Sequence, residues 1–293
     1  MDDVGILTYR YVRLGLIGSV IALGLSVLIE MVHSSVIRGS ISAYYYSPSR
    51  SVFVGALCAI GIALIALQGR PGGEDILLNL AGLLAPVVAI VPTPVCEANG
   101  PYGLSGCGIG KAHVPSEFYA GVVNNSWALG ATAIAGMVVT SLILRQRLGE
   151  PEIRRGLLVA WALVLGFGVL ASLWPKYYLN WAHYLAAVPL FVCITSVVVI
   201  NSRKVAARDQ QDVLGLSPAS FRSLYRVLAA LMILGIAGAV LGAVFSRSLP
   251  PTLPWVLIVE IWLLVCFLAF WVLQSMENWK TGLPQETISR TAA

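Results

Sequence analysis

Charged residues are scarce in this chain. The sequence has 293 residues, of which 58% are hydrophobic and only 11% are Asp, Glu, Lys or Arg. Soluble globular domains carry about 25% charged residues. A chain with so little charge cannot cover a water-exposed surface. The composition therefore excludes an ordinary soluble domain and predicts a protein whose surface is covered mostly by lipid.

The signatures of common enzyme classes are missing as well. The sequence contains no Gly-rich phosphate loop followed by Lys-Ser or Lys-Thr, and no Gly-x-Ser-x-Gly. Its three histidines include no His-x-x-x-His or His-Glu-x-x-His pair. No basic and aromatic patch of the nucleic-acid-binding kind occurs. We therefore expect no nucleic-acid partner and no cofactor, and the pattern favours a protein that is not an enzyme.

Long apolar stretches take the place of these motifs. A helix needs about 20 mostly apolar residues to cross the bilayer. Gly- and Pro-rich breaks such as Gly69–Gly73 and Pro250-Pro251 separate the stretches. The pattern predicts an all-α, polytopic membrane bundle that forms one domain over residues 1–293. Its eight predicted transmembrane helices lie near 13–33, 51–69, 75–93, 117–144, 155–174, 178–200, 222–246 and 254–275.

The distribution of Lys and Arg predicts the orientation of this bundle. If the N-terminus is cytoplasmic, 14 of the 19 basic residues fall in inner segments and five in outer ones. The five are Arg38, Arg50, Lys111, Lys176 and Arg247. The positive-inside rule then predicts a protein of the plasma (inner) membrane with both termini in the cytoplasm. This placement also explains most of the net charge of +5, so membrane lipids are the partners that the sequence predicts.

The five cysteines fit the same orientation. Cys58, Cys193 and Cys266 lie within predicted helices, where cysteine behaves as a small packing residue. Cys96 and Cys107 lie together in the predicted outer loop, 94–116. Disulfides persist in oxidising compartments. We therefore expect a Cys96–Cys107 disulfide, with two free loop thiols as the alternative.

Two carboxylates, Glu30 and Glu260, lie inside the apolar stretches. Placing a charged side chain in the membrane costs at least about 2.5–3.5 kcal/mol, so such residues face the bundle interior and mark functional sites. The depth of each residue in the membrane can be estimated from the helical rise of about 1.5 Å per residue. By this estimate both carboxylates lie in the outer half of the bilayer. At the same level lie further candidates for ligand binding or proton transfer, which are His33, Ser42, Tyr45, Asn124 and His183.

Each of these residues also has a structural explanation. Glu30 and His33 share a helix face and can touch the aqueous interface. Asn124, with Asn125, can join helices, and Tyr45 can belong to an interfacial aromatic belt. A further alternative is a metal site, because three His or carboxylate ligands with an open position suit zinc. Its ligands would come from Glu30, His33, His183 and Glu260.

Several short motifs stand out along the chain. They are Ser-Ile-Ser-Ala-Tyr-Tyr-Tyr at 40–46, the run 52–61, Asn-Leu-Ala-Gly at 79–82, His183-Tyr184, Tyr225-Arg226-Val227, and Glu260 with Phe270-Trp271 and Gln274. Together they resemble a family of bacterial, largely actinobacterial, multi-pass membrane proteins of unknown function. The resemblance covers about two thirds of the chain. It implies a six-helix membrane fold into which the fourth and fifth helices are inserted, and it implies no activity. It favours a functional role for Ser42, His183 and Glu260, which lie in these motifs.

These observations leave three hypotheses for function. The first is a membrane protein with an outward-facing polar pocket that binds or transports a small molecule or a lipid. The second is a structural or accessory subunit that supports a partner membrane protein. The third is an intramembrane metal-dependent lipid hydrolase. A cavity lined by the polar residues would favour the first, and polar residues occupied by neighbouring backbone groups would favour the second.

The orientation can be tested by single-cysteine labelling in a background without native cysteines. We expect a membrane-impermeant thiol reagent to label a cysteine at position 103 in intact cells. A cysteine at position 207 should be labelled only after permeabilisation. The opposite pattern at either position would overturn the orientation, and the disulfide prediction with it.

Overall fold

The fold consists of α-helices. The computed structural model describes residues 3–69, 73–95, 112–204, 217–245 and 253–279. Two short 3₁₀ helices, Ser42–Tyr46 and Leu144–Arg147, occur beside the α-helices. Within these ranges the α-helices are α1 (Asp3–Ser34), α2 (Arg50–Ala66), α3 (Glu74–Ile90), α4 (Ser116–Ile143), α5 (Pro151–Leu173), α6 (Pro175–Lys204), α7 (Pro218–Val244) and α8 (Trp255–Glu277).

The helices occur in the predicted order. The boundaries agree within about four residues, except that α1 begins at Asp3 rather than near residue 13. Six of them are long and apolar enough to cross a membrane, while α2 and α3 have 17 residues each. Seventeen residues is about the shortest length that spans the hydrocarbon core. The chain is therefore a multi-pass membrane protein by the length and composition of its helices.

Successive helices run in opposite directions and so define two ends of the bundle. We call the end that holds Tyr9, Gln68 and Trp279 the proximal end. The opposite end, which holds the 35–49 segment and the start of α8, is the distal end. Tyr9 donates a hydrogen bond to the Gln68 carbonyl at 3.0 Å, and Arg10 donates one to the Trp279 carbonyl at 2.7 Å. At the distal end the Leu257 N–H donates to the Gly39 carbonyl at 2.9 Å.

The packing centres on α3 and α6, which contact each other closely. Helix α2 packs on α3, α7 on α6, and α1 lies between α2 and α8. One buried apolar cluster fills the proximal half and includes Leu64, Ile194 and Phe270. A second fills the distal half and includes Tyr44 and Val91. The bundle is thus held by two stacked cores.

Helix α1 contributes one narrow stripe to both cores. Its buried residues recur at alternating spacings of three and four, the period of a coiled-coil seam. The stripe begins and ends with a charged residue, although its middle is apolar. Its members are Arg13, Leu16, Val20, Leu23, Val27 and Glu30, all at most 9% exposed.

Helices α4 and α5 contribute little to these cores. Only Val122 and Met137 of α4 are buried, and only Ala160 and Val164 of α5. A small third cluster joins the two helices, and Trp161 donates a hydrogen bond to the Ser141 hydroxyl at 3.0 Å. Large faces of both helices therefore remain exposed.

The predicted disulfide cannot be located, because Cys96 and Cys107 lie outside the described residues. The three cysteines within the described ranges, Cys58, Cys193 and Cys266, are free and lie in helices, as predicted. Val95 and His113 exchange two backbone hydrogen bonds of 3.0 Å. This bridge brings together the ends of the segment that contains Cys96 and Cys107.

Two glycines allow α2 and α3 to approach closely. A Cβ atom added at Gly82 would lie 2.5 Å from Ile65 Cγ1 and 2.7 Å from the Gly61 carbonyl oxygen. A Cβ atom added at Gly61 would lie 2.8 Å from the Gly82 carbonyl oxygen and 2.9 Å from Pro86 Cδ. Close backbone approach between small residues is a main source of helix association in membranes.

We therefore expect Gly82→Ala to push α2 away from α3. Overpacking of this kind costs about 1–3 kcal/mol, measurable as a lower unfolding temperature in detergent. Gly55→Ala is the matched control, because it lies on α2 with open space around it. Equal stability of the two variants would contradict this account of the α2–α3 contact.

Candidate functional site

The segment between α1 and α2 folds inward and is the most buried loop that the structure describes. Residues 40–46 are all at most 8% exposed. The Ala43 N–H donates to the Ser40 hydroxyl at 3.0 Å, and Ser40 and Ser42 hydroxyls lie 3.3 Å apart. Serine hydroxyls commonly bind backbone groups in this way at helix starts. Ser42 therefore lies inside the loop rather than on the rim of an open pocket.

The three tyrosines of this loop are buried, so they do not form an interfacial belt. Tyr46 donates a hydrogen bond to the Thr93 carbonyl at 2.9 Å. Tyr45 contacts the rings of Phe53 and Phe118 edge-on, with centroids 6.4 and 6.1 Å apart. Burial raises the pKa of the Tyr45 phenol, and the nearby Arg50 guanidinium lowers it in part. The Tyr45 side chain acts as a packing group between α2 and α4.

Glu260 binds the start of the 3₁₀ helix. Its carboxylate accepts the backbone N–H groups of Ile41 and Ser42. The Leu257 N–H, in the first turn of α8, donates to the Gly39 carbonyl at 2.9 Å. The first N–H groups of a helix have no partner inside that helix. These reciprocal hydrogen bonds satisfy backbone N–H groups at the start of both helices and fix α8 to the loop.

His183 has a comparable role at the end of α3. Its Nδ1 lies 2.8 Å from the Val91 carbonyl oxygen, and the Val88 carbonyl is also within hydrogen-bonding reach. In a continuing helix, Val88 would accept the N–H of residue 92, but Pro92 has none. His183 is 2% exposed. The imidazole thus satisfies carbonyls that the helix end leaves open.

Glu30, His33 and Asn124 are not part of this arrangement. Glu30 is buried at the distal end of the α1 stripe, while His33 is exposed in the last turn of α1. Asn124 is exposed on α4, where its amide donates to the Asn125 side chain at 3.3 Å. Sequence position alone placed these residues at one level of the membrane. The structure distributes them over different faces of the bundle.

The predicted residues do not form a metal site in the part of the chain that the structure describes. No group of three or more His, Cys, Asp or Glu side chains there could hold a metal ion. His183 and Glu260 each face backbone groups, and His33 is exposed. No three of Glu30, His33, His183 and Glu260 therefore come together as ligands. The arrangement gives no support to the hydrolase hypothesis.

An apolar groove lies between α1 and α8, directly below the 3₁₀ helix. Its volume is about 230 Å³. Leu28, Ile261 and Val265 on its sides are 42–58% exposed, so the groove opens on the membrane-facing surface. No polar side chain lines it. The lining residues are Leu23, Gly24, Val27, Leu28, Met31, Ile41, Ile261, Leu264 and Val265.

A second polar cluster, at the proximal end, was not predicted from the sequence. Arg13 is 2% exposed and donates to the Gln274 carbonyl at 3.2 Å while its guanidinium lies 4.4 Å from the Tyr9 ring centroid. Asn201 donates to Glu74 at 2.9 Å, and Tyr225 donates to Glu277 at 2.7 Å. These contacts join α1 and α7 to α8, and α6 to α3. The spacing of Arg13 with Leu16 and Val20 is the signal that could have identified its burial.

Comparison with known proteins gives no relative on which to base a function. No family model matches the chain, and neither a curated protein nor a solved structure matches it. The resemblance to the actinobacterial membrane family therefore stays a prediction.

The role of Glu260 can be tested by paired substitutions. Glu260→Ala removes the acceptor of two backbone N–H groups, and an unsatisfied buried group costs about 1–3 kcal/mol. We expect lower unfolding temperature and faster hydrogen exchange at Ile41 and Ser42. Glu260→Gln keeps one acceptor oxygen and should lose less stability. Unchanged exchange in the alanine variant would contradict a capping role.

Proposed function

We propose that this multi-pass membrane protein binds a membrane lipid and holds one acyl chain in the α1–α8 groove. The observation that carries the proposal is the wholly apolar lining of a groove that opens on the membrane-facing surface. Pockets for drug-sized ligands have volumes of about 300–1,000 Å³ and contain some polar groups. The smaller, apolar groove suits a hydrocarbon chain better than a complete polar solute.

The position of the groove along α1 supports an acyl chain from the distal leaflet. From Leu23 to Met31 the helix rises about 12 Å at 1.5 Å per residue. Half of the hydrocarbon core is about 15 Å thick. If α1 crosses the bilayer over residues 13–33, as the sequence predicts, the groove extends from near the centre toward the distal surface. With cytoplasmic termini, as the basic residues predict, this leaflet is the outer one.

Dispersion contacts explain why a chain would remain in the groove. Lipid tails are as apolar as leucine, so the hydrophobic effect does not favour protein over lipid contact inside a bilayer. A chain inside a groove has protein atoms on several sides, and each contact adds a small attraction. Such a chain makes more contacts than a chain on the convex face of α4 or α5. The shape of the groove, rather than its hydrophobicity, supplies the preference.

Glu260 and His183 do not provide the acyl-chain site in this proposal. Glu260 and His183 bind backbone groups of the distal loop and of the α3 end. Both side chains therefore have partners within the fold. The lipid contacts come instead from apolar residues of α1, α8 and Ile41.

The structural or accessory hypothesis keeps one supporting observation. Helices α4 and α5 have two buried residues each, so most of their length is exposed. A partner membrane protein could pack on this surface. Loss of lipid labelling in the groove, combined with recovery of a stable complex through α4 and α5, would favour that function over lipid binding.

Filling the groove tests the proposal. Gly24 lines the groove, and a Cβ atom added there has no neighbour within 4 Å. The side chain in Gly24→Leu would occupy part of the space that the acyl chain would fill and would remove its dispersion contacts with the protein, so we expect clearly weaker labelling of the groove. The measurement is photolabelling by a phospholipid with a diazirine on its acyl chain, mapped by mass spectrometry on 23–31 and 261–265.

Gly18→Leu is the control, because Gly18 is also an exposed α1 glycine with open space but does not line the groove. We expect this variant to label like the original protein. Labelling spread evenly over α4, α5 and the groove would contradict the proposal. The same conclusion would follow if Gly24→Leu left the pattern unchanged.

A further inference from the structure

Glu30 lies on α1 beside residues that line the distal end of the groove. It follows Val27 by three residues on the buried stripe of α1, and it precedes Met31; both neighbours line the groove. Residues three or four apart share a helix face. The headgroup of a lipid whose chain fills the groove must lie at this end. The Glu30 carboxylate is therefore placed where such a headgroup would be.

The Glu30 carboxylate lacks a hydrogen-bond donor among the residues that the structure describes, although only 9% of the residue is exposed. The Ser34 hydroxyl donates to the backbone carbonyl of Glu30 at 2.6 Å. This bond does not involve the Glu30 carboxylate. The nearby Tyr44 hydroxyl is occupied, since it accepts the Arg38 N–H at 3.1 Å and donates to the Val36 carbonyl at 3.3 Å.

Other carboxylates in the described part of the bundle have donors of their own. Glu260 accepts two backbone N–H groups, Glu74 accepts the Asn201 amide, and Glu277 accepts the Tyr225 hydroxyl. Buried polar groups in folded proteins are almost always paired. Glu30 has no such donor in the described part of the chain, and its oxygens are not among the fully enclosed atoms, so a ligand can reach them. A cationic group with N–H donors would complete it.

We infer that the lipid in the α1–α8 groove carries a cationic amine in its headgroup and that the Glu30 carboxylate binds this amine. The inference rests on the proposed lipid-binding function and adds the class of lipid. An ammonium group offers three donors to a carboxylate. Arg38 lies in the loop above the groove, with its guanidinium 5.7 Å from the Tyr44 ring centroid. An amine headgroup joined through a phosphate would thus meet charges of both signs.

Headgroup preference tests this inference. Two phospholipids with the same diazirine-bearing chain, one with an ethanolamine and one with a glycerol headgroup, would be compared in vesicles of neutral phosphocholine lipid. We expect groove labelling by the ethanolamine lipid to exceed that by the glycerol lipid about tenfold, the effect of one charge-assisted hydrogen bond. Glu30→Gln should reduce this ratio to near one while chain labelling persists.

Glu117→Gln is the matched control, because Glu117 is an exposed carboxylate at the distal start of α4. This variant should keep the full preference, and thermal unfolding would verify that both variants are folded. Equal labelling by the two headgroups, or a preference that survives Glu30→Gln, would overturn the amine inference and leave the groove proposal intact. Absence of groove labelling with either lipid would instead refute the lipid-binding function itself.

Discussion

Hydrogen bonding of the backbone within the membrane is the constraint on which the rest of this structure depends. Lipid offers no donors or acceptors, so a chain that leaves its helix at membrane depth must find partners inside the protein. The distal end contains two places where buried backbone leaves a helix, the inward-folded 40–46 segment and the end of α3 before Pro92. Glu260 supplies an acceptor for the first, and His183 contacts the open carbonyls of the second. These two polar side chains therefore stabilise the fold by binding backbone groups.

This constraint also explains how α8 is placed beside α1. At the distal end the Leu257 N–H and the Glu260 carboxylate bind the loop that follows α1. At the proximal end Arg13 binds the Gln274 carbonyl and Arg10 binds the Trp279 carbonyl. Helix α8 is therefore connected to the α1 side of the bundle at both ends. Between these connections the two helices need not pack tightly, and the apolar groove lies in the space that remains.

The α1 stripe unites these features in one element. Its proximal residue, Arg13, is buried and joins α1 to α8 through the Gln274 carbonyl. Its apolar middle enters both cores, and Leu23 and Val27 also line the groove. Its distal residue, Glu30, has no donor within the described ranges. A single helix face thus connects a structural contact at one end with the candidate binding site at the other.

The sequence by itself determined the class of the protein and the number and order of its helices. Hydrophobic stretches long enough to span a bilayer are local features, and so are the Gly and Pro breaks between them. Tertiary structure alone decided which side of each helix is buried and what each polar residue contacts. Sequence position placed Glu30, His183 and Glu260 at one depth, but depth does not reveal the helix face or the neighbour. Glu260 meets Ile41 and Ser42, far away in the chain, and Arg13 is buried against Gln274 although it resembled a surface cation. Such contacts depend on how helices distant in sequence pack together, and that packing is set by the summed fit of many side chains rather than by any local pattern.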